Sequence, residues 1–563
     1  MSLQYVGQAN VILNENPKKS YWKCAYKKYT HFGKQNFRID FTGTPVTSVV
    51  NESQFTFPIK RYADLLMDTY ISIRLPAIWS PIEPPRLIPN TTNEYSGWIP
   101  YEFQWIENIG AQIIKRITIT CGNQKIQEYS GRYILAMAQR DFSAQKMELF
   151  NKMIGHVPEL YDPANAGARV NAYPSAFYTS NPLGAQPSIN SRTICVPLSA
   201  WFSMISCQAF PLVSMQYNEL KINVILRPVA EWYTIRDVTD HANNYPVVYP
   251  NQNQPHMQFY RFLQTPPAVD LQITSYSDTR TNWASDIHLN CTYIFLSDEE
   301  QLKFASENQQ YVYKQVQETM YHNVTGSQHT DIESSGLVSS WMFYFQRSDV
   351  KLRNQWSNYT NWPYAHMPQD ITPAPTADTQ EIMENSYYVL PSSGDGEEDI
   401  KLYPGQNPDM TSSGIYITGD FNPQNRKDIL ETMGILVDGQ YLENVLPANV
   451  FNFVEKFSRT AGNAPDGLYC YNFCLNTDPL INQPSGSFNM SKSSTVEFET
   501  VTILPPLDPY AQSINICDPA TGDVIGINKP TWRVFDYNFD MILFEERLNM
   551  VFFTGGNSAT LYS

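Results

Sequence analysis

Runs in which apolar and polar residues alternate recur along the whole chain. Ile113 to Thr120, Glu219 to Leu226, Leu289 to Leu296, Ser340 to Gln346 and Thr495 to Ile503 all show a period of two. Side chains two apart share one face of a strand, so the pattern predicts half-buried strands. Clusters of Pro, Gly and Asn separate the runs, as turns separate the many short strands of a sandwich or barrel. Helical patterning is scarce. Tyr129 to Arg140 and Ser143 to Ile154 read as short helices, the second capped by Ser143. Ser297-Asp298-Glu299-Glu300 reads as a capping box, which predicts a helix from about Asp298 to Gln310 just after a strand ending at Leu296.

That helix marks the expected domain junction. The division it implies is an arm at 1–36, a first sandwich at 37–297, a linker with a short helix at 298–320 and a second sandwich at 321–563. An internal echo crosses the junction. Ile117-Thr118-Ile119-Thr120-Cys121-Gly122-Asn123-Gln124-Lys125-Ile126 is similar to Met433-Gly434-Ile435-Leu436-Val437-Asp438-Gly439-Gln440-Tyr441-Leu442. In each, an apolar strand meets a Gly turn, then Gln and a second strand, which is a general hairpin pattern. Ser80 to Gly97, Asp162 to Ser191, Glu231 to Ser285 and Asn361 to Asn425 read as long loops, the last with the acidic run Ser393-Gly394-Asp395-Gly396-Glu397-Glu398-Asp399.

Composition narrows the picture. Only 17% of the 563 residues are charged, while Tyr (36), Phe (29) and Pro (39) are abundant, a balance suited to an all-β chain with many turns. The net charge of −16 argues against a nucleic-acid binder, which needs a basic footprint. Met1 to Asn14 lacks the basic start and apolar core of a signal peptide. Arg192 and Glu219 bracket the longest uncharged run, long enough for a membrane span, but its Pro, Ser and Gln residues fit two buried strands joined by a loop. The eight cysteines are scattered and read as free thiols. Cys470 and Cys474 have no second Cys/His pair at zinc spacing and read as sheet packing.

Four segments then stand out in order. They are Tyr62-Ala63-Asp64-Leu65 with Leu75-Pro76; Asn108-Ile109-Gly110-Ala111-Gln112-Ile113-Ile114-Lys115; Phe210-Pro211-Leu212-Val213 running into Gln216-Tyr217-Asn218-Glu219-Leu220-Lys221-Ile222; and Gln483-Pro484-Ser485-Gly486-Ser487-Phe488-Asn489-Met490-Ser491. Asp298-Glu299-Glu300 with Phe304-Ala305, and Asn354-Gln355-Trp356-Ser357-Asn358-Tyr359-Thr360, extend the set. In this order, from about residue 20 to about residue 490, they resemble the major capsid proteins of nucleocytoplasmic large DNA viruses.

The resemblance implies two consecutive antiparallel jelly-roll sandwiches in one chain, three chains per pseudo-hexagonal capsomer, and an icosahedral shell. It implies a virion component, assembled in the host cytoplasm, whose partners are further copies of itself, neighbouring capsomers, minor capsid proteins and the inner viral membrane, with no direct nucleic-acid contact. It implies that Asn361 to Asn425 and Glu231 to Ser285 build an outward tower. The chain's ending, Phe553 to Ser563, only loosely echoes the family's Gly-rich, aromatic end. Two other readings stay open: a carbohydrate-active or lectin-like β-sandwich with a Trp-lined cleft, and a non-capsid scaffold of the same fold.

Catalytic patterns are missing. The sequence holds no phosphate loop, dinucleotide fingerprint, His-Glu-x-x-His pair or Gly-x-Ser-x-Gly elbow, and no cofactor is expected. His322 and His329, with Asp331 and Glu333, read as a solvated turn. Glu545 and Glu546 point apart in a strand and read as one exposed and one salt-bridged carboxylate. Sequons stand at Asn51, Asn90, Asn290, Asn323, Asn358 and Asn489, and most are expected to be bare, since no signal sends the chain to the secretory lumen. Pro17 to Ile39 carries seven Lys/Arg and no Asp or Glu, interleaved with aromatic residues. The resemblance puts this region at the capsomer base. The expectation is that its aromatics pack on the first sandwich while Lys18, Lys19, Lys23, Lys27 and Lys28 point inward.

Overall fold

Leu220–Leu226 shows how the alternation folds: every second residue is buried, and the residues between are half-buried. In the computed structural model the chain is described except for residues 44–45, 84–98, 177–183, 241–244, 268–275, 281, 366–387, 391–399, 403–425, 509–513, 518–523, 529–530 and 563; of the first 25, only 8, 12, 15, 16, 20, 22 and 24 are described. The first sandwich is built from β1 (Phe32–Ile39), β2 (Ser53–Ile59), β3 (Leu65–Leu75), β4 (Ile114–Cys121), β5 (Gln124–Tyr129), β6 (Arg192–Pro197), β7 (Leu220–Leu226) and β8 (Ile287–Leu296). The second is built from β9 (Gln309–Tyr321), β10 (Ser327–Asp331), β11 (Leu337–Arg347), β12 (Leu430–Val437), β13 (Gln440–Pro447), β14 (Leu468–Asn472), β15 (Val496–Thr502) and β16 (Phe539–Thr554).

The sheets run β1-β8-β3-β6 and β2-β7-β4-β5, then β9-β16-β11-β14 and β10-β15-β12-β13, all antiparallel in their pairings. The second pair is the first with eight added to every strand number. The chain therefore contains two copies of one jelly-roll topology. Smaller features repeat as well. Phe210–Pro211 pairs with the start of β3, and Phe488–Asn489 pairs with the start of β11. The sequence echo falls on equivalent hairpins: β4 turns into β5 at Gly122 (φ 58°), and β12 turns into β13 at Asp438 and Gly439 (φ 51° and 74°).

Strand direction sorts the connections by end. At one end lie the starts of β1 and β9 and the short or medium connections 60–64, 122–123, 198–219, 332–336, 438–439 and 473–495. At the other lie 76–113, 130–191, 227–286, 348–429 and 503–538. The two sandwiches share this polarity. Gln216 and Tyr217 donate their amides to Gly556 at one end, and Asn354 bonds to Ala230 and Tyr233 at the other.

The helices α1 (Gly131–Asp141), α2 (Ala144–Ile154) and α3 (Asp298–Ser306) form as the patterns predict, with Ser130 and Ser143 oxygens accepting from Tyr133 and Lys146 amides. Ser297 sits at the N-cap of α3 but makes no side-chain cap bond, so the capping box is not closed. The helix ends at Ser306, and Gln309 already opens β9, which pairs along its whole length with β16. The stretch 298–320 is thus half linker and half framework strand, and β1 likewise begins inside the expected arm, at Phe32. The uncharged run forms β6, two-residue Phe210–Pro211 and helical turns between them, both strands pairing with β3. Glu231–Ser285 is no open loop either: Tyr233 stacks on Phe103 at 4.5 Å, and Phe259 and Phe262 are buried beside them. The region Asn361 to Asn425, including the acidic run at Asp395, lies outside the described residues apart from 361–365 and the paired strands Tyr388–Leu390 and Ile400–Leu402.

Candidate functional site at the junction of the two sandwiches

Strand β11 is buried on both faces, as is the stretch Met541 to Glu546 of its neighbour β16. One face, with Trp341, Phe343 and Phe345, fills the second sandwich. The other, with Met342 and Tyr344, joins Ile542 and Phe544 of β16 in the core of the first. α1 is what covers this outer face. Its end carries Arg140, which is fully buried.

Arg140 donates to Asp141 at 2.7 Å and to Glu546 at 2.9 Å through Nη2, and to the Ser340 hydroxyl at 3.1 Å through Nη1. Glu546 also accepts from Tyr133 at 2.9 Å, from Ser340 at 2.7 Å and from Lys314 Nζ at 3.4 Å. Thr477 donates to Asp141 at 2.6 Å. Two cations and two carboxylates from both sandwiches thus share one buried site. Burial works against ionisation of Glu546, but Arg140, Lys314 and the Ser340 hydroxyl outweigh it and hold the carboxyl down at about 2. Asp141 is pushed up by burial against the pull of the same guanidinium. The negative charge of the cluster therefore rests most firmly on Glu546.

The segments singled out in the sequence meet in pairs around this junction. Ser357 accepts from Asn108 and Gln112 side chains, each at 3.1 Å. Asn354, in the left-handed region at φ 52°, donates to Ala230 and Tyr233 carbonyls at 2.9 and 2.8 Å. The Trp356 ring takes the Arg227 guanidinium 4.4 Å from its centroid and that of Arg132 at 5.5 Å. Asp64 accepts from the Leu296 amide at 2.8 Å and from Gln301 at 2.7 Å, tying the Tyr62–Leu65 segment to α3. Close approach explains Gly131, where a Cβ would lie 1.8 Å from the Ala111 carbonyl oxygen.

Several expected positions differ. Glu545 is buried, not exposed: it accepts from Trp341 at 2.7 Å and Ser334 at 2.5 Å and pairs with Arg547. The two glutamates do point apart, each into its own polar pocket. His329 lies in β10, not in a turn, with its Nδ1 3.4 Å from Glu497, and His322 faces Asp540. Cys470 and Cys474 are buried free thiols, and burial pushes Cys470 up to about 12.

Of the sequons, Asn51, Asn323 and Asn489 are exposed. Asn290 lies within β8 and donates to Ser72, Asn358 is buried, and Asn90 lies outside the described residues. Lys27 and Lys28 are exposed, whereas Lys18, Lys19 and Lys23 lie outside the described residues. The arm's aromatics do not pack on the first sandwich: Trp22, Tyr26 and Tyr29 are exposed, Tyr26 at 89%. Among the described aromatics of the segment, only Phe37, inside β1, packs on other rings, those of Tyr62 and Tyr293. The neighbouring face of β1 carries Lys34, Asn36 and Arg38, which offer no apolar bed.

Two jelly rolls of one topology, locked through a buried polar junction, define a double jelly-roll protein. Residues 20–290 match the family described as major capsid protein N-terminus. The chain is 25% identical to the major capsid protein of Chrysochromulina ericina virus over 58% of its length and 53% of that protein. It is 21% identical to the major capsid protein of Phaeocystis pouchetii virus over 96% of both chains. The match thus spans about half of the first relative and nearly all of the second. Among solved structures, the Faustovirus major capsid protein superposes with a TM-score of 0.59 at 13% identity, covering 98% of this chain and 94% of that one. The PBCV-1 capsid protein does so at 0.57 and 16%, covering 97% and 100%. By sequence and fold the chain is a relative of the major capsid proteins of large DNA viruses, which are structural proteins and not enzymes.

Proposed function

We propose that this chain is a shell subunit that trimerises into pseudo-hexagonal capsomers of an icosahedral capsid. The observation that carries the reading is the repeated topology. Two equivalent sandwiches held rigidly side by side make each chain a third of a hexagon, and hexagons tile a flat facet. A ring of identical chains closes through heterologous contacts.

The shared polarity of the sandwiches supports an orientation. The long connections, with the region 361–425, belong to the outer end. The basic arm enters at the opposite end, so Lys18, Lys19, Lys23, Lys27 and Lys28 belong to the inner face, toward minor capsid proteins or anionic lipid headgroups. Genome contact is not part of this reading, and the virion, assembled in the host cytoplasm, is the proposed location. Light scattering on the purified chain tests the assembly: a mass of three chains is expected, and a stable monomer at micromolar concentration overturns it.

A further inference from the structure

The connections 198–219 and 473–495, one from each sandwich, meet beside β9 without closing on each other. Between them is a cleft of about 80 Å³, lined by Val312, Tyr313 and Lys314 of β9, Met137 of α1, and Trp201 and Met204. Its polar rim is tied off. Gln208 donates to the Val312 carbonyl at 2.8 Å and to Asn482. Gln127 donates to the Lys314 carbonyl at 3.3 Å and accepts from the Trp201 amide at 3.4 Å, and Ser485 donates to the Asn476 carbonyl at 3.0 Å. One donor is left over. Trp201 is only 5% exposed, and among the described residues nothing accepts from its indole Nε1. An indole N–H can only donate, and a buried one ordinarily has a partner. The ring is held where it is by Phe202, Phe210, Tyr311 and Tyr313, with centroids 5.3 to 6.1 Å away.

We propose that the cleft binds a neutral amide carrying a small aliphatic group, whose carbonyl oxygen accepts from Trp201 Nε1. An apolar pocket with one placed polar group is the usual form of a small-ligand site. Met137 and Met204 are unbranched and polarizable, so they fit an irregular aliphatic body. Size limits that body. An apolar cavity of about 150 Å³ accepts benzene, so this smaller cleft takes a group of two or three carbons with its carbonyl. Charge selects a neutral ligand. The Lys314 ammonium is already held by the Thr477 carbonyl at 2.8 Å and by Glu546 at 3.4 Å, and Asp478 stands on the rim. A carboxylate ligand would meet both of those acids, and a cationic one would bring no acceptor to the indole. A free amide and one small residue of a polypeptide share this chemistry. The site does not depend on the trimer reading.

The test uses three molecules of one shape: propionamide, propionate and propionamidinium, the last with no acceptor. Fluorotryptophan labelling of the full chain gives eleven fluorine resonances, and the one missing from Trp201→Phe reports the site. If that variant does not fold, the resonance that moves most in Met204→Phe identifies it. Propionamide is expected to shift this resonance saturably, with a dissociation constant on the order of 1 mM, as five heavy atoms allow. Propionate is expected to bind roughly tenfold more weakly and propionamidinium not at all. Met204→Phe, which fills the cleft and leaves the indole in place, is expected to abolish the propionamide shift. A second arm uses N-acetylalanine N-methylamide. Tighter binding than propionamide assigns the site to a polypeptide segment, and weaker binding assigns it to a free amide. No saturable shift with any probe, as when ordered water alone partners the indole, overturns the site. Equal shifts with propionamide and propionamidinium overturn the role of Trp201.

Discussion

The Arg140 guanidinium, at the end of a helix in the first sandwich, lies 2.9 Å from the Glu546 carboxylate in the longest strand of the second. Removing one partner of a buried pair leaves the other charge uncompensated, which costs about 3–5 kcal/mol. Glu546→Gln and Arg140→Met should each lower the melting temperature. Calorimetry should then show a broader unfolding transition than that of the unmodified chain, because the pair is one of the ties that couple the sandwiches, beside those of Asn354 and Ser357.

Stability should fall on acidification through a defined window. Glu546 is held at about 2 in the folded chain, below the ordinary value near ~4.3. Its contribution is complete above the ordinary value and is lost as pH drops from there to about 2. Asp237 adds to the same window: burial opposes its ionisation, but His256 and the Thr239 hydroxyl and amide hold it at about 2. Melting temperature measured from pH 7 to pH 2 should fall most steeply below about pH 4, and Glu546→Gln should flatten that fall.

Asn354 offers a test of the tie between the sandwiches at the end that carries the long connections. Asn354→Ala removes two hydrogen bonds to buried carbonyls and places a Cβ-bearing, non-Asn residue at φ 52°. Asn354→Gly loses the same bonds without that strain. Alanine should cost roughly 2–4 kcal/mol and glycine about 1 kcal/mol less, measured as shifts in urea unfolding midpoint.

Gly131→Ala should abolish soluble, folded protein, because its new methyl would overlap the Ala111 carbonyl oxygen and both atoms belong to fixed backbone. Gly439→Ala, at a turn with nothing within 4 Å, is the control and should cost only the strain of its positive φ, about 1 kcal/mol. Soluble yield and thermal melting compare the two.

Replacing Lys18, Lys19, Lys23, Lys27 and Lys28 together by Gln should leave the trimer mass unchanged and reduce binding to vesicles of anionic lipid, each Lys near the surface contributing on the order of 1 kcal/mol. Normal assembly of such variants into particles would remove the inner-face role of the arm.

The strand centres were legible because burial on one face writes a period of two, as in Leu220–Leu226. Other elements hid for stated reasons. Gln309–Tyr321 is polar and half-buried along most of its length, so it read as linker. Tyr233 buries its ring from a four-residue strand, and Phe259 and Phe262 theirs from a single 3-10 turn, elements too short to leave a periodic trace. The junction was invisible as chemistry, since Arg140 and Glu546 stand 406 residues apart and each looked like an ordinary charge. Its frame is legible nonetheless: the Asn108 segment bonds to the Asn354 segment through Ser357, and Asp64 bonds to Gln301, next to Asp298–Glu300.

The sorting of connections by end separates two quantities that most proteins must trade against each other. A loop that doubles in length adds only about 0.6 kcal/mol of closure entropy, and here the longest connections leave from one end, parts of them, such as α1 and the Tyr233–Phe262 cluster, folding back onto the sheets. Outside those packed parts, length and sequence at that end can drift at little cost. The frame of two locked sandwiches, tied at Arg140 and Glu546, is untouched by such drift.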